Sequence, residues 1–352
     1  MKWPRQFITI EDGTDVEAQA PFIISASRST DIPAFYSDWF FHRLKVGYSA
    51  WINPFTNEKS YISYNKCKFI VFWSKNPKPL FPHLDELKER GIGCYVQYTL
   101  NDYEEEGLEQ GVPPLEERIE TFKALVDKLG KGNVIWRFDP LILTDKITIP
   151  ILLEKINKIG DKLLGYTDKL VFSFADISTY KKVQNNLTTH GIHYQEWTED
   201  DMHELMIGLL RLNSKWGYNL ATCGEKIDFD KYGISHNKCI DDELITKISY
   251  KDKELMDFLG IKIKYVDDFI FGPDDMPKDA IIINSDYYGV RTKSNKDSGQ
   301  RNLCGCIISK DIGQYNTCPH MCEYCYANSD KALAVVNYGL FVLNGGIGET
   351  II

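Results

Sequence analysis

From Pro21 to Thr222 the chain alternates short, almost uninterrupted apolar runs with longer stretches in which apolar positions recur at helical spacing. The runs Phe22 to Ser27, Phe69 to Ser74, Cys94 to Thr99, Val134 to Phe138, Leu170 to Phe174 and Tyr218 to Thr222 predict strands. The stretches Asp31 to Leu44, Pro82 to Arg90, Pro114 to Leu129, Ile149 to Leu163 and Glu199 to Trp216 predict helices. Continuous runs such as Phe69-Ile70-Val71-Phe72-Trp73 suit strands covered on both faces, as in a parallel sheet. Consecutive strand-helix units of this kind build an α/β fold, and periodicity alone leaves both a barrel and a doubly wound sheet open.

The positions just after the strands are polar: Ser27 to Asp31, Ser74 to Asn76, Thr99 to Asp102, Arg137 with Asp139, and Ser173 with Asp176. In a barrel these positions gather at one rim and form the active site. Helix capping and turn chemistry account equally well for Ser, Thr, Asn and Asp there. Arg28 and Arg137 fit capping less well, because a guanidinium cannot accept a bond from the free N–H groups of a helix start. Both are candidates for holding a carboxylate or phosphate. Beyond Thr222 the alternation fades, and residues 223–306 read as an irregular insertion or subdomain rich in Asp, Lys, Gly and Asn.

The chain has 352 residues and a formal net charge of -9, which argues against a dedicated nucleic-acid binder. Its first residues lack the apolar block of a signal peptide. The apolar stretch Ala332 to Ile347 is interrupted by Asn337, Gly339 and Asn344, too broken to span a bilayer. A cytoplasmic location is therefore expected. In a reducing compartment clustered cysteines point to metal or redox chemistry, and five of the nine, Cys304, Cys306, Cys318, Cys322 and Cys325, fall within 22 residues.

Cys318, Cys322 and Cys325 have the spacing C-x3-C-x2-C, with Tyr324 directly before the last cysteine. Three thiolates on one loop suit three corners of a cubane cluster with one iron left open, whereas closed zinc and iron-sulfur sites take four protein ligands. A zinc knuckle completed by His320 is the other metal reading. The spacing with its aromatic residue resembles the signature of the radical S-adenosylmethionine superfamily. That resemblance implies an enzyme in which a 4Fe-4S cluster on the three cysteines binds and cleaves S-adenosylmethionine, with Tyr324 against the adenine. Arg137, Thr99, Asn101 and Ser173 are then expected to contact the cofactor and Arg28 and Asp31 the substrate. An electron donor such as flavodoxin or ferredoxin is implied as a partner.

In that superfamily the cysteine loop usually follows the first strand, whereas here it comes near the end of the chain. A circular permutation reconciles the two, with Asp311 to Asn316 as the first strand and Tyr326 to Tyr338 as its helix. The expected architecture is thus a partial TIM-like (β/α) barrel, circularly permuted. Residues 1–222 supply most strands and helices, 307–340 complete it, and 341–352 form a tail. Trp73 to Pro77, Val96 to Leu100 and Trp136 to Leu141 look like post-strand segments of the spore photoproduct lyase branch, over roughly residues 69 to 145. Most of the chain, to about Asp330, also resembles an uncharacterised bacterial domain family ending in the same cysteine loop.

Cys223, Cys239, Cys304 and Cys306 together offer four thiolates for a second 4Fe-4S cluster or a zinc ion, with His236 as a substitute ligand. A nonenzymatic, metal-stabilised binding protein, for nucleic acid among other partners, is the rival from another class.

Overall fold

The protein is described by a computed structural model that covers residues 3–54, 56–266, 277–301 and 303–352. Part of the irregular stretch 223–306 therefore lies outside the described residues. Eight parallel strands form the main sheet: β1 (Ile23–Ala26), β2 (Phe69–Ser74), β3 (Gly93–Thr99), β4 (Val134–Leu141), β5 (Lys169–Phe174), β6 (Asn219–Thr222), β7 (Ser235–His236) and β8 (Lys310–Asp311). Their spatial order is β7-β6-β5-β4-β3-β2-β1-β8. Seven strands thus run across the sheet in chain order, and the last returns beside the first, where Lys310 and Asp311 pair with Ile24 and Ser25. Among the described residues the sheet is open, with β7 and β8 as its edges.

Alternation along the strands divides the two faces. Ile70 and Phe72, Val96 and Tyr98, Trp136 and Phe138 pack into the larger core with the helices Leu115–Leu129, Ile149–Lys162 and Glu199–Trp216. Ile23, Phe69, Val71 and Tyr95 point the other way into a second core. That core is closed by Ile240, Ile245, Leu255, Met256, Ile261, Cys306 and Ile307, all from the stretch after Thr222. The irregular region thus covers the sheet's inner face, and it contains a three-stranded sheet, Ile261–Tyr265, Tyr287–Arg291 and Ile281–Ile282, that the sequence pattern does not announce.

Most expected elements are present, and the differences have local causes. The helix expected over Asp31 to Leu44 is broken into Ile32–Phe35 and Ser37–Val46 at Tyr36, whose hydroxyl donates 2.6 Å to the Thr317 carbonyl. The helix expected over Tyr326 to Tyr338 starts later, as Lys331–Leu343, because the Asp330 carboxylate accepts from Ala332 N at 2.7 Å and caps it there. A four-stranded sheet of Arg5–Thr9, Asp15–Gln19, Lys59–Ser63 and Tyr48–Ile52 is a further addition. Among the described residues no helix is long and apolar enough to cross a membrane.

The strand expected over Asp311 to Asn316 shrinks to Lys310–Asp311 because Asp311 turns its carboxylate onto β1. It accepts from Ser25 Oγ at 2.9 Å, Ser27 Oγ at 2.6 Å, Arg28 N at 2.8 Å and Gly313 N at 3.0 Å. Gly313 must be glycine for this, since a Cβ there would lie 1.9 Å from Ser27 Oγ. Asp311→Ala leaves buried donors unpaired and should lower unfolding free energy by about 2 to 3 kcal/mol. A urea midpoint equal to wild type would show that the carboxylate does not fasten β8.

Candidate functional site

Loops after β1, β2, β3 and β4 and the segment after β8 meet above the carboxyl ends of the strands, the edge at which open α/β sheets bind ligands. Asp31, at the end of the loop after β1, caps Ala34 N at 2.9 Å. It also accepts from Ser74 Oγ at 2.7 Å, from Lys75 N at 2.7 Å and from His320 Nε2 at 2.7 Å. His320 Nδ1 reaches the Gly111 carbonyl at 3.1 Å, and Gly111 N donates to the His320 carbonyl at 2.8 Å. A Cβ on Gly111 would lie 2.4 Å from the Pro319 oxygen, so the loop after β3 and the cysteine loop interlock only with glycine there. Asp31 is therefore a structural anchor as well as a rim residue.

Tyr324 is held in a buried polar network. Its hydroxyl accepts from Lys75 Nζ at 2.8 Å and Asn101 Nδ2 at 3.1 Å, and donates to Glu109. Lys75 pairs with Glu109 at 2.7 Å, and Arg118 lies 3.6 Å from its other oxygen. Burial works to raise the Glu109 carboxyl, but the Lys75 ammonium and Arg118 guanidinium outweigh it and hold the group down at about 2. Asn101 also accepts from Asp139 N at 2.9 Å, tying the loop after β3 to β4.

Arg137 rises from β4 on the inner face. It forms an ion pair with Asp139, which also accepts from Ser173 Oγ, and Nη1 donates to Gln97 Oε1 at 3.2 Å and to Cys239 Sγ at 3.3 Å. Thr99 stands beside Arg137 in the sheet register. The structure therefore brings Arg137, Ser173, Asn101 and Thr99 together around Asp139, and Arg28 lies close by, its guanidinium 5.5 Å from the centre of the Trp73 ring that Arg137 also faces.

The cysteines require a correction. Among the described residues no group of three or more His, Cys, Asp or Glu side chains is arranged to hold a metal ion. The assignment of Cys318, Cys322 and Cys325 to a 4Fe-4S cluster is thereby overturned, and with it the S-adenosylmethionine cofactor, the radical enzyme and the metal-stabilised alternative. The assignment of Cys223, Cys239, Cys304 and Cys306 to a second cluster or zinc falls on the same finding. Burial pushes the thiols of Cys318, Cys322 and Cys325 up. The loop meets protein partners instead, with Glu323 N on the Leu108 carbonyl at 2.9 Å and Asn328 Nδ2 on the Cys318 carbonyl at 2.7 Å. The second group of thiols does assemble, but pairwise through hydrogen bonds: Cys223 Sγ is 3.2 Å from Cys239 Sγ, and Cys306 Sγ accepts from Cys239 N at 3.2 Å.

Four contributors went unrecognised in sequence. Glu109 sits in an acidic loop with no distinguishing spacing, Arg118 is a helix residue like any other, and Trp73 reads as core. Glu225, which accepts from Phe174 N at 2.9 Å and is pushed up to about 7 by burial, follows Cys223 without any motif. Lys75 and Trp73 do fall in the segment Trp73 to Pro77, which the sequence pattern did single out.

Fold and site together define a parallel α/β protein whose functional edge is a rim of buried charged and sulfur-bearing side chains. The chain belongs to the family described as domain of unknown function DUF1848, whose sequence profile matches residues 23–327. No curated protein and no solved structure matches the chain.

Because the Glu109 carboxyl titrates near 2 when folded, against about 4.5 in its ordinary state, its contribution is complete above about 4.5 and is lost as pH falls toward 2. Glu109→Gln should remove this part of the acid sensitivity, on the order of 3 kcal/mol. Denaturant midpoints compared near pH 5 and pH 3 check it, and equal pH slopes in variant and wild type would refute the pairing.

Proposed function

We propose that the protein binds a small anionic molecule, bearing a carboxylate or phosphate, at the carboxyl edge of the sheet, with Arg28 as its anchor. The observation that carries this is a pair of neighbouring buried donors without acceptors: Arg28 Nη2 and Trp73 Nε1 make no hydrogen bond. An unpaired buried donor costs about 1 to 3 kcal/mol, and more when it is charged, so an anion that meets both groups would recover that cost on binding. Trp73 also lies near the Arg137 guanidinium, 5.3 Å from its ring centre, which adds positive field beside the same indole. Arg137 itself has its donors committed to Asp139, Gln97 and Cys239, and its role in this reading is to orient the site.

The architecture that supports the reading is an incomplete TIM-like barrel in permuted order. The strands β1 to β8 form its wall, and the described residues after His236 that join the second core pack against its inner face. Asp31, Asn101 and Ser173 hold the rim loops in place, with Asp31 fastening the cysteine loop to β2. All nine cysteines are free, which suits a reducing compartment such as the cytoplasm.

Titration calorimetry with inorganic phosphate and with succinate tests the proposal and separates the two anion chemistries. One of them should bind, and Arg28→Lys, which keeps the charge but loses the planar fork, should weaken that binding about tenfold to a hundredfold. Failure of both anions to bind, or an unchanged dissociation constant in a folded Arg28→Lys protein, would overturn it.

A further inference from the structure

We propose that Cys223 and Cys239 form a redox-active dithiol that reduces a small-molecule disulfide and is itself converted to an intramolecular disulfide. The proposal is independent of what Arg28 binds. Cys223 directly follows β6, is partly exposed, and places its sulfur 3.2 Å from that of Cys239. Cys239 is 3% exposed and is held from several sides. Its carbonyl accepts from Tyr95 Oη at 2.7 Å and Gln97 Nε2 at 2.9 Å, while its sulfur accepts from Arg137 Nη1 and Asn237 Nδ2, both at 3.3 Å. A partly exposed cysteine whose sulfur touches that of a fixed, buried one that takes a hydrogen bond from a guanidinium is an arrangement suited to thiol–disulfide exchange. One sulfur meets the substrate, and the second resolves the mixed disulfide.

The exchange is written for the singly ionised pair, which carries one proton. Cys223 passes it to Cys239 and, as a thiolate, attacks one sulfur of the small disulfide. That S–S bond breaks, the first small thiolate leaves, and Cys223 is left in a mixed disulfide. Cys239 then attacks the Cys223 sulfur, and the second small thiol leaves with the shared proton. Two electrons pass from the cysteine pair to the small disulfide, and one protein S–S bond replaces one small-molecule S–S bond. A small dithiol in excess reverses both steps. Cys306 lies beside the pair, its sulfur accepting from Cys239 N and Ile240 N at 3.2 and 3.4 Å, so the test maps it separately.

The test uses the full chain purified without oxygen and incubated with glutathione disulfide. Free thiols are blocked, the protein is reduced and relabelled, and the labelled peptides are mapped. The expected result is a loss of two blockable thiols, at Cys223 and Cys239, fully restored by dithiothreitol, with Cys67 and Cys94 unaffected. Cys239→Ser should stop at a mixed disulfide on Cys223, and Cys223→Ser should leave Cys239 unmodified. The wild-type map decides the matter even where a variant fails to fold. Both cysteines remaining blockable, oxidation mapping to Cys304 with Cys306 instead, or a bound metal masking these sulfurs until chelator is added would each overturn the proposal.

Discussion

The site depends on the pairing of β8 with β1, fastened by the Asp311 carboxylate. The paired segment is two residues long, and two backbone pairings with one edge would hold a strand weakly. Four hydrogen bonds to one carboxylate make up for that shortness, and three of them come from the end of β1 and the loop that begins the rim. The cysteine loop then starts from a fixed point beside Ser27 and crosses the carboxyl ends of the strands. It is caught again at Thr317 by Tyr36, at His320 by Asp31 and Gly111, and at Glu323, whose N–H donates to the Leu108 carbonyl. Past the helix Lys331–Leu343 the chain is held once more, with Trp39 Nε1 on the Gly348 carbonyl and Ala50 N on the Glu349 carbonyl, both at 2.7 Å. This segment is thus held at the rim near its start and against the helix Ser37–Val46 and the four-stranded sheet near its end.

A second constraint is the filling of the inner face. In a barrel the inward residues of the strands pack against one another. Here the sheet stays open, and Ile240, Leu255, Met256 and Ile307 supply the missing partners for Ile23, Phe69 and Val71. Toward the carboxyl edge the inner face changes from apolar to polar through Trp73, Gln97, Arg137 and Ser173, and the covering segment changes with it, offering Cys239 and Asn237. The carbonyl and sulfur of Cys239 are therefore met by donors from β3 and β4, and its position follows from packing as much as from chemistry.

Most of this frame was legible in the amino-acid pattern. Strands such as β2 are buried on both sides, and a continuous apolar run is a strong signal, so Phe69 to Ser74 was read with correct bounds. The return of the chain to β1 was also expected, although only through the cysteine spacing that suggested permutation. What was not legible is whatever depends on contacts distant in sequence. The three-stranded sheet of the irregular region has short strands and no clean alternation. The Lys75, Glu109 and Tyr324 network joins residues 34 and 249 positions apart along the chain. The cysteine spacing was misleading for the same reason: spacing along a loop constrains which sulfurs can converge, but the folded loop directs its polar groups to Asp31, Gly111 and Leu108.

Arg28 and Arg137 show how far residue type carries an argument. In sequence they are equivalent, each a guanidinium just after or within a strand end among small polar residues, and each too basic to cap a helix. In the fold both lie against the same indole ring, at similar distances from its centre. Arg137 has a carboxylate, an amide oxygen and a sulfur within bonding distance, so its charge is answered inside the protein. For Arg28, burial opposes the charge while the Cys306 and Cys239 sulfurs and Asp311 favour it, yet one nitrogen is buried with nothing to donate to. Between these two residues it is the unmet donor, rather than the charge, that differs.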